Sequence, residues 1–214
     1  GTYMIFLEAL ERLGEELDMH LIVPRHEAAA AHFADAYTRV TGEPAVVMAC
    51  AGPGAANLLS GIICAQAEGS PVVAITTMRR TPISDDYRHM GGTQSPSHLE
   101  LFKPAVKWNG RISHWQHIPD MVRHAFRVAM TGSPGPVHLV IPEDVLAQQG
   151  DTNDAVIWPR ERTRVLDKPS ASSEAVQKAA EMLVNAEFVN IHAGQGANKA
   201  GAGDEILALA EHLG

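Results

Sequence analysis

Apolar residues in this chain recur in two rhythms that alternate from the start. From Met4 to Leu17, the residues Ile5, Ala9, Leu10, Leu13 and Leu17 fall on one helical face, which predicts an amphipathic helix. Leu21-Ile22-Val23 is a short apolar run closed by Pro24 and predicts a strand. An alanine-rich helix is expected from Glu27 to Val40, stopping before Gly42, a suitable C-cap. Ala45 to Ala49 and Pro71 to Thr76 predict strands, with a helix from Ala55 to Ala67 between them. Both strands are apolar throughout, as expected for a parallel sheet covered on both faces. Ala105 to Trp108 and Val137 to Ile141 predict two more strands, the second ended by Pro142. Between them, Ile118, Met121, Val122, Ala125, Phe126 and Ala129 mark the inner face of a helix from His117 to Met130.

This alternation predicts an α/β domain over residues 1–148, a doubly wound, mostly parallel sheet with helices on both faces. The stretch from Thr77 to about His98 is rich in Gly, Pro, Ser and charge, and loops of that length are usually functional. Residues 149–171 read as a linker, with Gln148-Gln149-Gly150-Asp151 leading into charges, Pro159 and Pro169. Ser172 or Ser173 then caps a helix with Ala175, Ala179, Leu183 and Val184 on its apolar face. A strand at Phe188 to His192, a glycine-rich turn from Gly194 to Gly203 and a last helix read as the start of a second α/β domain over 172–214. Gly1-Thr2-Tyr3 runs straight into the first helix and Glu211-His212-Leu213-Gly214 stops on a helical pattern, so the sequence reads as a fragment.

Composition narrows the partners. A formal charge of −8, with Arg79-Arg80 the nearest thing to a basic cluster, argues against nucleic acid. No stretch approaches the roughly 20 apolar residues that span a bilayer, and no basic-then-apolar leader opens the chain. Cys50 and Cys64 form no CxxC and no zinc-ligand spacing, which fits a reducing, cytoplasmic setting and no metal site among these residues.

Three junctions gather the residues suited to chemistry. Arg25-His26-Glu27 lies where a strand meets a helix; Ala51-Gly52-Pro53-Gly54-Ala55-Ala56-Asn57 lies at the next such junction. Gly91-Gly92-Thr93-Gln94 lies in the long loop after the following strand. In open parallel sheets ligands bind beyond the carboxyl ends of the strands, where all three fall. Gly52 and Gly54 let a ligand approach the backbone, Pro53 fixes the turn, and free N–H groups at a helix start favour an acceptor ligand. Each has a plainer reading. An acidic first turn is favoured by the helix dipole alone, GPGxxN is common turn chemistry, and paired glycines often mark only a flexible loop.

The run Arg25-His26-Glu27 through Thr41-Gly42 resembles the RHEQGAAHAADGYARATG segment of acetolactate synthase and its thiamine-diphosphate-dependent relatives. Ala51 to Asn57 is similar to that family's SGPGATN, Lys103-Pro104-Ala105-Val106-Lys107-Trp108-Asn109 to its RPxxKxN, and Gly135 to Pro142 to its GPVHIDIP. These four motifs, in the family's order and spacing, cover most of residues 20–145.

The resemblance implies a thiamine-diphosphate-binding fold, with 172–214 as the truncated start of a central domain. It makes Glu27 the glutamate that meets the aminopyrimidine N1′ and, by sharing a proton with it, activates the thiazolium carbon for attack on a 2-oxo acid. A semi-buried, alanine-lined position is expected to raise the Glu27 pKa toward the working pH. Gly52, Pro53, Gly54 and Asn57 are implied as cofactor-binding, with Pro53 and Asn57 packing on the pyrimidine. Gln94 is implied as lining the active site. Thr93 stands where the family has Phe and Ser95 where it has Glu, so the substrate pocket around Thr93 and Gln94 departs from that of acetolactate synthase. Met78-Arg79-Arg80 replaces Gly-Gln-Val, which weakens the case for FAD.

The family's GDG…NN segment, which holds the diphosphate and Mg²⁺, does not occur in this sequence, and Gly1 aligns inside an early VPGG loop. The remaining C-terminal domain and a second subunit, as homodimer or tetramer, are therefore expected partners beside a small 2-oxo acid. The Glu27 helix is expected near that subunit interface, with Ala28, Ala31 and Ala34 small enough to let helices or chains approach closely. The alternatives are an oxalyl-CoA-type lyase, a simple 2-oxo-acid decarboxylase, a sulfoacetaldehyde acetyltransferase type, or a non-catalytic binding module of the same fold. Glu27 argues against the glyoxylate carboligase type, and the lack of GxGxxG against a nicotinamide or flavin dehydrogenase.

Overall fold

The structure is a computed structural model that describes residues 2–85, 94, 96–163 and 170–214. It contains two compact units, Gly1–Leu166 and Asp167–Gly214. In the first, β1 (Ala45–Ala49), β2 (Val72–Met78), β3 (Trp108–Arg111) and β4 (Val137–Pro142) form one all-parallel sheet in the order β1-β2-β4-β3. The helices of this unit are α1 (Met4–Leu13), α2 (Glu27–Thr41), α3 (Pro53–Glu68), α4 (Thr81–Ser84), α5 (His98–Phe102), α6 (Ile118–Met130), α7 (Glu143–Leu146) and α8 (Arg160–Thr163).

The strand order explains the two-sided cover. From β1 to β2 the chain advances across the sheet, and from β3 to β4 it steps back. Right-handed crossovers then put α3 and α6 on opposite faces. Two cores result. Val72 and Ala74 of β2 pack with Val47 and Ala49 of β1, Ala31 and Ala34 of α2, and Leu58 and Ile62 of α3. Val73 and Ile75 of β2 pack with Val137, Leu139 and Ile141 of β4 and with Ala125 and Ala129 of α6. Because side chains alternate along a strand, β2 supplies both cores from one apolar run.

Helices α2 and α3 approach so closely at one point that only a glycine fits there. A methyl group on Gly61 would fall 2.5 Å from the Cβ of Ala31 and 2.8 Å from the backbone N of His32. Ala31 is fully buried there. Ala31 and Ala34 thus serve α2–α3 packing within the chain, the close approach of helices expected of such small residues.

Several expected elements differ. Leu21-Ile22-Val23 is not a strand; the three residues are exposed and without ladder partners among the described residues. So short a run, ending at a proline that has no N–H to donate, has little to hold it in a sheet. α1 ends at Leu13 because the chain turns at Gly14 and enters a left-handed conformation at Asp18 (φ 50°), which leaves Leu17 exposed. β3 starts at Trp108, since Lys103–Ala105 form a 3-10 turn around Pro104. α3 starts at Pro53, where its ring sits in the first helical position.

Residues 151–163, read as linker from composition, include the turns Thr152–Asp154 and α8. Trp158 donates its indole N–H to Asp120 of α6 (3.0 Å) and lies under the Arg123 guanidinium at 4.5 Å. The second unit holds α9 (Ser173–Val184), α10 (Gln195–Ala200) and α11 (Gly203–Leu213), with the Ser172 hydroxyl capping α9. None of its described residues is buried. The expected strand at Phe188–His192 is absent from it; with no neighbouring strand to pair with among the described residues, the segment stays irregular.

Candidate functional site

The site forms where the starts of α2 and α3 meet beyond the carboxyl end of β1. His26 is extended (φ −148°, ψ 143°) and its Nδ1 accepts the Ala28 N–H at 3.1 Å, so α2 is capped and Glu27 becomes its first helical residue. Asn57, early in α3, donates its side-chain N–H to Glu27 Oε2 at 3.1 Å. The Glu27 carboxyl titrates below its usual range, because its own backbone N–H and then the Asn57 amide bond the ionised form. Partial burial opposes them and the neighbouring His26 adds to them. The direction is opposite to the sequence expectation: donors around the carboxylate outweigh desolvation.

Gly52 adopts φ 73° and ψ −116°, a conformation strained for any residue with a Cβ, and thereby turns the chain from β1 into α3. Its carbonyl accepts the Ala56 N–H at 3.0 Å. Gly54 has a different reason for being glycine. A Cβ there would sit 3.0 Å from Cys50 Sγ and 3.3 Å from Glu27 Oε1. The missing side chain keeps space beside the carboxylate. Glu27, Gly52, Pro53, Gly54 and Asn57 are therefore brought together. Gln94 is exposed in a turn and makes no hydrogen bond to Glu27 or Asn57. Thr93 lies outside the described residues.

Three residues that the sequence reading passed over stand behind the turn. His98 Nε2 accepts the Gly52 N–H at 3.1 Å, its Nδ1 lies 2.9 Å from Thr76 Oγ1, and that hydroxyl lies 2.8 Å from His138 Nε2. All three side chains are buried. The ring of His138 stacks on Phe102 at 4.0 Å, and Phe102 follows His98 by one turn of α5. Burial pushes the His98 pKa down to about 4; burial, then the proximity of His98, pushes that of His138 down to about 3. The one available signal was His138 itself, a lone polar residue inside the apolar strand Val137–Ile141.

Two motif residues prove structural. Lys107 Nζ donates to the carbonyls of Val128 (2.6 Å) and Thr131 (3.0 Å) at the end of α6, a favourable place for a cation. Asn109 donates to the Leu99 carbonyl at 2.7 Å and so ties α5 to β3. Among the described residues no group of three or more His, Cys, Asp or Glu side chains could hold a metal ion, and no helix is long and apolar enough to cross a membrane.

Residues 1–101 match the family described as thiamine pyrophosphate enzyme, N-terminal TPP binding domain. Over its whole length the chain is 38% identical to a probable acetolactate synthase large subunit of Methanocaldococcus jannaschii, of which it covers 35%. The chain belongs to the acetolactate synthase-like family of thiamine-diphosphate-dependent enzymes. It is also 35% identical to an acetolactate synthase of Bacillus subtilis over 80% of this chain and 29% of that protein. With acetolactate synthase isozyme 1 large subunit of Escherichia coli it shares 32% identity, over 96% of this chain and 35% of that protein. The chain spans about a third of the length of the curated relatives it matches. The family match takes in both helix starts, the Gly52–Gly54 turn and His98.

Proposed function

We propose that this chain is the pyrimidine-binding part of a thiamine-diphosphate-dependent 2-oxo-acid decarboxylase or carboligase, with Glu27 as its catalytic carboxylate. The observation that carries the reading is the state of Glu27: a partly buried carboxylate oriented by Asn57, with no salt-bridge partner among the described residues. Space beside its Oε1 is kept open by Gly54, where a methyl group would intrude. A carboxylate held by neutral donors accepts a further N–H without competition from a cation, which suits an aminopyrimidine ring nitrogen. When bound, the cofactor supplies the carbon nucleophile that takes up a 2-oxo acid and releases carbon dioxide.

The chain's own part is then to hold and orient. Glu27 exchanges a proton at its carboxylate, Asn57 fixes the plane of that carboxylate, and Gly52-Pro53-Gly54 supplies a turn whose backbone the ring can approach. Gln94 and Thr93 are proposed to line the substrate side. The diphosphate and Mg²⁺ are assigned to a further domain, and a second subunit to the other half of the site. The exposed Phe33, Tyr37 and Val40, spaced along one face of α2, support an apolar partner surface there. Transferase or lyase chemistry fits a chain similar to acetolactate synthases, and the cytoplasm is proposed as its setting.

The test is titration of the full-length protein with thiamine diphosphate and Mg²⁺, alongside Glu27→Gln, with pyruvate as the 2-oxo acid. Wild-type protein is expected to bind the cofactor and release carbon dioxide, and E27Q to lose turnover by about 100-fold or more. A protein that binds no cofactor, or an E27Q variant with normal turnover, refutes the reading.

A further inference from the structure

The hydrogen-bond chain behind the turn has only one consistent direction. Gly52 donates its backbone N–H to His98 Nε2, so that nitrogen carries no proton. A neutral imidazole must then be protonated at Nδ1, which donates to Thr76 Oγ1. Thr76, having accepted there, donates its own proton to His138 Nε2. His138 is left protonated at Nδ1, and that atom is buried without a partner. One backbone N–H thus fixes two imidazole tautomers and one hydroxyl rotor, all in the face of the core shared by β2, β4 and α5.

We propose that His98 is a positioning residue for the cofactor half-site: as a neutral imidazole protonated on Nδ1, it supplies the acceptor that fixes Gly52 and hence the turn presenting Pro53, Gly54 and Asn57 to Glu27. This rests on the functional reading above. Gly52 begins the left-handed turn, and its own carbonyl is already engaged with Ala56 in α3. His98 Nε2 is the partner of the remaining polar group of Gly52. Burial keeps the imidazole neutral, as an acceptor role requires. Thr76 acts at one remove. Its hydroxyl accepts from Nδ1 and so holds His98 in the tautomer that leaves Nε2 free.

The test uses the full-length protein with His98→Phe, His98→Gln and Thr76→Val. H98F keeps the ring's shape and has no acceptor; H98Q is a poorer fit to an apolar surrounding and restores an acceptor at the reach of Nε2. If His98 were only packing, H98F would be the milder change. Positioning reverses that order. H98F is expected to weaken thiamine diphosphate binding by about tenfold or more, the scale of one lost hydrogen bond, with H98Q within about threefold of wild type. In the protein without cofactor, H98F is expected to speed amide hydrogen exchange in the peptide containing Gly52, and H98Q to restore protection. T76V is expected to speed the same exchange although it does not touch Gly52. Equal binding by wild type and H98F, or tighter binding by H98F than by H98Q, overturns the proposal. So does unchanged exchange at Gly52 in both H98F and T76V. Wild-type protein that binds no cofactor overturns the functional reading instead, and the exchange measurements still decide whether His98 holds the turn.

Discussion

Replacing Gly61 with alanine tests the helix contact beneath the site. The added methyl would lie 2.5 Å from Ala31 Cβ, 2.8 Å from the Ala31 carbonyl carbon and 2.8 Å from the His32 nitrogen. Carbon atoms rest comfortably at about 3.5–4.0 Å, so α2 and α3 must separate by about 1 Å. Two of the three obstacles are backbone atoms, and no rotamer change relieves them. Overpacking of this kind destabilises by roughly 1–3 kcal/mol, while removing a helical glycine returns about 1 kcal/mol. The expected net loss is about 0–2 kcal/mol. The effect on the site is larger in proportion. Ala31 follows Glu27 by one turn and Gly61 follows Asn57 by one turn, so the 3.1 Å Asn57–Glu27 bond spans the same gap one turn earlier. Opening it by about 1 Å takes that bond past hydrogen-bond length. Urea unfolding and thiamine diphosphate titration of G61A are expected to show a modest stability loss with a disproportionate loss of affinity. Ala31→Gly in the same background removes the methyl contact and leaves the two backbone contacts, so it should restore affinity in part. A G61A protein about 1 kcal/mol more stable than wild type, with unchanged affinity, would refute the argument.

Acid should destabilise the fold through its buried histidines. Both pKa values are lowered on folding, to about 4 for His98 and about 3 for His138. Below the ordinary histidine pKa of about 6.5 the unfolded chain takes up two protons that the folded chain refuses, so stability is full above that pH and declines on the way down to the folded values. Between pH 7 and pH 5 each histidine contributes a loss on the order of 2 kcal/mol, read as a fall in the urea midpoint; an unchanged midpoint contradicts their neutral burial. Further acidification should add the lowered carboxyls Glu27, Asp35 and Asp85, whose contributions are lost as the pH falls through their folded pKa values. In this 214-residue chain α9, α10 and α11, which bury nothing, should exchange amide hydrogens much faster than α2 and α3. Equal protection in both sets would mean that the second unit has a core.

The central strands were legible because β2 and β4 are apolar without interruption, and the α6 face because its period is helical over thirteen residues. Elements whose existence depends on a neighbour were not legible. Leu21–Val23 has the composition of a strand and no partner among the described residues, and Phe188–His192 is similar. At the site, the glycines, Pro53 and Glu27 announce themselves through turn chemistry and motif. The Asn57–Glu27 bond joins residues thirty positions apart, and nothing local in the chain says that their side chains meet. His98 and Thr76 were hidden for the same reason, since their partners come from different elements. The Glu27 pKa direction failed because alanine neighbours suggested desolvation, whereas backbone and amide donors decide it.

His138 also bears on how the chain finds its own fold. A strand buried on both faces is poorly protected against sliding by one position, because hydrophobic side chains occupy either face equally well. Val137–Pro142 is such a strand apart from one residue. Slipped by one, β4 would bring Val137 or Leu139 to the Thr76 hydroxyl, and the imidazole would be carried into the opposite core with no group to bond. Leaving such buried polar groups unmet costs about 1–3 kcal/mol each. The histidine therefore works as an assembly key: it makes one alignment of β4 against β2 distinguishable from its neighbours, and the alignment it selects is the one that holds the Gly52 turn in place.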